Sequence, residues 1–192
     1  VLRLIAPLLA FALAGCAGAP TRARVPAEPG AVPADPSSVA MPVLRLPPRA
    51  LPAGLALQQR LTFDHGGRRD TLDALVESDA VSTRLLVHAQ GQVALRLVWD
   101  GTTLDEQRAP WLPATVAGER VLADLQLVFW PVAAIRAALP AGWTIDEAGD
   151  RRELRDRGEP VVVVDGAGSG RARLQQRREN YVLEIESQAV AP

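Results

Sequence analysis

Glu119-Arg120-Val121-Leu122-Ala123-Asp124-Leu125-Gln126-Leu127-Val128-Phe129-Trp130 is the stretch that breaks the rhythm of the chain. Its apolar residues at 121, 122, 125, 128 and 129 recur at the spacing of one helical stripe. Pro131 suits the first turn of a second short helix, where a missing N–H is harmless. That helix would show Val132, Ile135 and Leu139 on one side, and Pro140-Ala141-Gly142 ends it. On either side the period drops to two. Leu55, Leu57, Leu61 and Phe63 alternate with Gln58, Arg60, Thr62 and Asp64, which predicts a half-buried strand. Turn signals at Asp64-His65-Gly66-Gly67, Gln90-Gly91 and Asp100-Gly101 separate further strands over Asp70–Ser78, Ser82–Ala89, Val93–Trp99 and Thr102–Arg108. After the helices, Trp143–Glu147, Arg151–Arg155, Glu159–Val164, Arg171–Arg177 and Tyr181–Glu186 read as five more. Five strands, two helices and five strands predict an α+β, mainly antiparallel fold. The expected form is a strongly curved sheet or open half-barrel of about ten strands covered by a two-helix lid.

The front of the chain is different. Arg3 precedes an apolar run from Leu4 to Ala14, too short to span a bilayer, which needs roughly 20 residues. It has the form of a secretory signal over residues 1–15. Val1 stands where a Met is expected and reads as an alternative start codon or a missing Met. Leu13-Ala14-Gly15-Cys16 resembles the lipobox of bacterial lipoproteins, which implies cleavage before Cys16 and acylation there. Acyl chains at about 0.8 kcal/mol per buried methylene would moor the protein to a membrane. Ala17, in place of an Asp, points to the outer membrane by the sorting pattern of such proteins, with the domain facing the periplasm. Residues 16–52 hold nine of the sixteen prolines and read as an extended, mobile tether, leaving 53–192 as the folded domain.

Composition narrows the function. The 192 residues carry 21 basic and 22 acidic side chains, for a net charge of −1, which argues against a nucleic-acid partner. The hydrophobic fraction of 48% is ample for a core. All basic residues are Arg, read as genomic codon bias. One Cys and two His supply no zinc site and no internal disulfide, so no metal or cofactor is expected.

Val121 to Pro131, running on to Ala138-Leu139-Pro140-Ala141-Gly142-Trp143, resembles a bacterial lipoprotein family catalogued as domain of unknown function 3261. Members are similar to the carrier and receptor of the Lol pathway (a LolA/LolB-like fold), which hold lipoprotein acyl chains in a half-barrel under helices. The resemblance implies binding or transfer of an acyl-type or aryl-polyene-like ligand in the cell envelope, with a periplasmic carrier protein as a possible partner. The Lol receptor carries a protruding apolar loop in its first sheet; here the corresponding turn, Gln90-Gly91, is tight and polar.

On this reading Leu95, Leu97 and Trp99 line the floor of a cavity, and Val121, Leu125, Val128 and Ile135 line its lid. Trp111, in a loop bounded by Pro110 and Pro113, is a rim or partner contact. Trp130 and Trp143 flank the second helix as core or hinge packing. His65 and His88 have no nucleophile or carboxylate signature beside them, and Ser169 lacks nucleophile-elbow spacing, so no enzyme is expected. Asp165-Gly166-Ala167-Gly168-Ser169-Gly170 mimics a nucleotide loop, but only 22 residues follow, and a flexible hairpin turn is expected. The Arg-rich runs 151–157 and 171–178 read as solvated strand edges, with lipid phosphate as the alternative partner. The competing function is a scaffold lipoprotein with a solid core that binds a protein through a strand edge or the Trp111 loop.

Overall fold

In the computed structural model, which describes residues 41–113 and 115–190, ten strands form a single antiparallel sheet. The first five are β1 (Leu55–His65), β2 (Arg68–Ser78), β3 (Thr83–Ala89), β4 (Gln92–Trp99) and β5 (Leu104–Arg108). Helices α1 (Gly118–Phe129) and α2 (Val132–Ala138) follow. Strands β6 (Trp143–Ala148), β7 (Arg151–Asp156), β8 (Glu159–Asp165), β9 (Arg171–Gln176) and β10 (Tyr181–Ala189) complete the chain. The order is β5-β4-β3-β2-β1-β10-β9-β8-β7-β6, so the two halves meet where β1 pairs β10 and the curved sheet stays unclosed between β5 and β6. Each half is a meander because every link is a short turn. At Gly66-Gly67 both residues have positive φ (61° and 80°), the backbone that matches the twist of a two-residue hairpin.

Period two sorts the side chains. One face of the sheet bears cross-strand ion pairs at register positions: Arg60 with Asp73 (3.8 Å), Arg84 with Glu77 (3.7 Å) and Arg171 with Glu186 (3.5 Å). Each is exposed and contributes at most about 1 kcal/mol, so their value is register and solubility. The other face is apolar and faces α1. Val76, Leu85, Leu97, Leu174, Val164, Leu154 and Ile145 on it are all buried.

Helix α1 departs from the expected single stripe, because every residue from Leu122 to Val128 is buried, Asp124 and Gln126 included. One side of it is covered by Met41–Leu51, which the prolines assign to the tether. Met41, Leu44, Leu46, Pro48 and Leu51 are buried while Val43 and Arg45 are exposed, an alternation that makes this segment a strap. Gln126 pairs with both backbone groups of Leu46: the Leu46 N–H donates to Oε1 and Nε2 donates to the Leu46 carbonyl, each at 3.0 Å. Trp99 Nε1 donates to the same carbonyl at 2.7 Å. The folded domain thus takes in Met41–Leu51, ahead of the expected start at 53. Residues 1–40, with Cys16 and the expected signal, lie outside the described residues.

Helix α1 stops at Trp130, which turns to extended backbone (φ −74°, ψ 151°) ahead of Pro131. Pro131 forms the N-cap of α2 and not its first turn. Helix α2 packs on edge strand β6, with Ile135 fully buried and Arg136 Nη2 donating to the Ile145 carbonyl at 3.1 Å.

Candidate functional site

The floor residues Leu95, Leu97 and Trp99 lie on the inner face of β4, each about 2% exposed. Leu125 and Val128 on α1 and Ile135 on α2 are also buried, and Val121 is half-buried. Leu97 meets the start of α1: a Cβ built on Gly118 would stand 2.6 Å from Leu97 Cδ2 and 2.6 Å from Glu106 Oε2. The Glu106 carboxylate at this helix N-terminus is favourable for the helix dipole. Glu106 can swing away from an added methyl, but buried Leu97 cannot. Gly118→Ala should therefore lower stability by about 1–2 kcal/mol in urea denaturation, although alanine is the better helix former.

Trp111 stands apart from these residues. It is 48% exposed, on a turn closed by the Leu112 N–H donating to the Ala109 carbonyl at 3.1 Å. Arg108 Nη2 donates to the carbonyls of Leu112 (3.2 Å) and Pro113 (2.7 Å), so the turn is held and the indole presented.

Two surface recesses are prominent. One of about 490 Å³ runs along Arg49, Leu51, Pro52, Leu55 and Ser78, between the strap and the start of β1. The other, about 360 Å³, lies between the β1–β2 and β9–β10 hairpins, along Gly66, Gly67, Gln176, Asn180 and Tyr181. None of the predicted floor, lid or rim residues lines either. Besides Leu104 on edge strand β5, apolar surface remains accessible on the inner face at the centre of the sheet. There Leu57, Leu61 and Phe63 of β1, Leu72 of β2 and Leu183 of β10 are only half-buried.

Two polar anchors fix α1, and the periodicity revealed neither. The first is Arg152, inside a run expected to be solvated but 8% exposed. Its Nη1 donates to the carbonyls of Leu127 (2.7 Å), Val128 (3.2 Å) and Trp130 (2.9 Å), and its Nε to Glu147 Oε1 (2.7 Å). A guanidinium there satisfies carbonyls that a helix end leaves unpaired. The Gly168 N–H adds a bond to the Val128 carbonyl at 3.0 Å. The glycine turn expected to be flexible is thus an ordered contact. Its Ala167 N–H also donates to the Asp150 carbonyl at 2.8 Å, and Ser169 Oγ to the Arg171 carbonyl at 2.6 Å.

The second anchor is Asp124, whose Oδ2 accepts the Tyr181 hydroxyl at 2.5 Å. Burial pushes its carboxyl up to about 7, against the opposing pull of the Tyr181 hydroxyl and Arg120, while Glu179 adds to the rise. Burial and the neighbouring carboxyl raise the Tyr181 phenol as well. Asp124 Oδ1, Arg120 Nη1 and Gln176 Nε2 are buried without a hydrogen-bond partner. Trp143, expected as core or hinge packing, is buried beneath the Arg178 guanidinium, 5.2 Å from its ring centroid.

These features define a domain in which an open antiparallel sheet wraps a deeply buried helix anchored at its middle and at its C-terminal end. Among the described residues no three His, Cys, Asp or Glu side chains are grouped to hold a metal, and no helix is long and apolar enough to cross a membrane. The chain belongs to the family described as protein of unknown function (DUF3261), whose model matches residues 56–189. No curated protein matches it.

Proposed function

We propose that the protein is a non-enzymatic outer-membrane lipoprotein, acylated at Cys16, with a LolA/LolB-like domain on the periplasmic side. It binds or transfers an acyl-type hydrophobic ligand. The observation that carries this reading is the half-buried row Leu57, Leu61, Phe63, Leu72 and Leu183, an apolar strip at the centre of the sheet's inner face. An alkyl chain laid along it gains about 0.8 kcal/mol per methylene buried, so ten methylenes supply up to about 8 kcal/mol before the losses of association. The ligand site suggested here is this trough. The tight packing around α1 leaves the predicted floor residues as core.

The test is mass spectrometry of lipids co-purified with the native acylated protein, with uptake of a fluorescent fatty acid. The expected result is bound lipid in the wild type and an affinity loss of about tenfold or more in Leu61→Asp. Absence of co-purified lipid and of uptake would sink the reading. A scaffold role is the second reading, favoured by the presented Trp111. In that case Trp111→Ala abolishes capture of an envelope protein and leaves lipid uptake unchanged.

A further inference from the structure

The cluster around Asp124 is built in a way that packing alone does not require. Asp124 and Arg120 are neighbours one turn apart on α1. Tyr181 begins β10, and Gln176 is its register partner on β9. Arg120 Nη2 is paired with Glu179 Oε1 at 3.1 Å, in the β9–β10 turn. Gln176 Oε1 accepts the N–H groups of Arg178 (2.9 Å) and Glu179 (3.4 Å), which leaves its Nε2 unpartnered. Phe63, 5.2 Å from the Tyr181 ring, packs on the phenol's other side, and exposed His65 is the register partner of Tyr181 on β1. Arg178 is drawn to Asp156 at 2.8 Å. The groups that bear on the carboxyl are therefore the Tyr181 phenol, the Arg120 guanidinium already shared with Glu179, and Glu179 itself. The phenol and the guanidinium are donors that favour a carboxylate; what opposes ionisation is burial, for Asp124 is 7% exposed and its Oδ1 finds no partner.

We propose that Asp124 is a proton-operated latch: protonated, it holds the middle of α1 to the β9–β10 end of the sheet, and its ionisation loosens that turn. The device stands whether or not the ligand is a lipid. Protonated, Asp124 accepts the Tyr181 O–H on one oxygen and carries no charge into the core. Ionised, it places a negative charge in a buried site, near Glu179 as well as Arg120. The last turn of α1 remains held by Arg152, and Gln126 stays on the strap, so the loosening is confined to the turns bearing Val121 and Asp124. The direction follows from linkage. With the folded carboxyl raised to about 7 from 3.8, the stabilisation is complete below 3.8 and disappears as pH rises through about 7.

The test is hydrogen exchange of the full chain followed by mass spectrometry, corrected for intrinsic exchange, from about pH 5.5 to about pH 8. Peptides over residues 118–126 should lose protection by about tenfold or more across this range in the wild type, while β3–β4 peptides stay flat. In Asp124→Asn the α1 protection should not vary with pH. An equal fall in Asp124→Asn, or no fall in the wild type, overturns the latch. Should Asp124→Asn fail to fold, Glu179→Gln serves instead. Removing that negative neighbour should move the midpoint of the α1 transition to lower pH, and an unmoved midpoint overturns the proposal.

Discussion

Arg152→Met is expected to lower folding stability by about 3–5 kcal/mol, read as a shifted urea midpoint with unchanged slope. The size follows from what the guanidinium does. Its Nη1 serves three carbonyls at the end of α1, and its Nε holds Glu147 at 2.7 Å. Methionine keeps much of the volume and removes every donor. The Leu127 and Val128 carbonyls belong to buried residues where water cannot replace the bond, and Glu147 is left alone beside the negative end of a helix. Arg152→Lys retains the charge but offers a single point in place of a fork, so it should recover only part of the loss. The control is next door. Arg151 is exposed and pairs with Asp165 (2.5 Å) and Glu153 (2.9 Å), and Arg151→Met should change stability by no more than about 1 kcal/mol. A loss below about 1 kcal/mol for Arg152→Met would show that the cap is incidental.

That pair of neighbours explains what the sequence could and could not disclose. Alternation reports which side of a strand a residue occupies, and it placed Leu95, Leu97 and Trp99 together on the inner face, whereas a bulge opposite Val87 and His88 leaves Val93, expected beside them, 48% exposed. It does not report what lies above that face. Arg152 shares its side with Leu154 and Val164, yet in a run of arginines and acids its parity is masked by charge. Asp124 and Arg120, four apart on a helix, look like a solvated ion pair, because the hydroxyl that meets Asp124 comes from 57 residues away. The strap was hidden for a related reason. Proline content is a local property and reads as an unfolded spacer, whereas Met41–Leu51 is fixed by Gln126 and Trp99 reaching its backbone from afar. A segment recognised through its backbone leaves little periodic trace. The strand ends were within a few residues because turn residues act locally. Whether an apolar face is packed or open depends on shape, which no hydrophobic pattern encodes.

Trp130→Ala should be the other large loss, about 3–5 kcal/mol, because it removes the largest fully buried side chain at the joint between α1, α2 and the strap. The residue makes three kinds of contact there. Its N–H closes α1 onto the Gln126 carbonyl at 3.0 Å, its carbonyl accepts from Arg152 at 2.9 Å, and its Nε1 lies 3.5 Å from the Pro47 carbonyl. The first two are backbone bonds that survive substitution, so the effect is chiefly the void. Trp130→Phe separates volume from the indole bond. A bond at 3.5 Å is weak, and the phenylalanine variant should lose no more than about 2 kcal/mol. Trp99→Phe deletes a 2.7 Å bond to Leu46, so its release of the strap should exceed that caused by Trp130→Phe. Tryptic cleavage after Arg45 and Arg49 reads that release directly, since both lie within the strap. In Trp130→Ala the cleavage rate should rise by about tenfold or more at a denaturant concentration that leaves the sheet folded. If the strap stays as resistant as in the wild type, the indole is filler for the two helices alone, and Gln126 with Trp99 must account for the whole hold on Leu46.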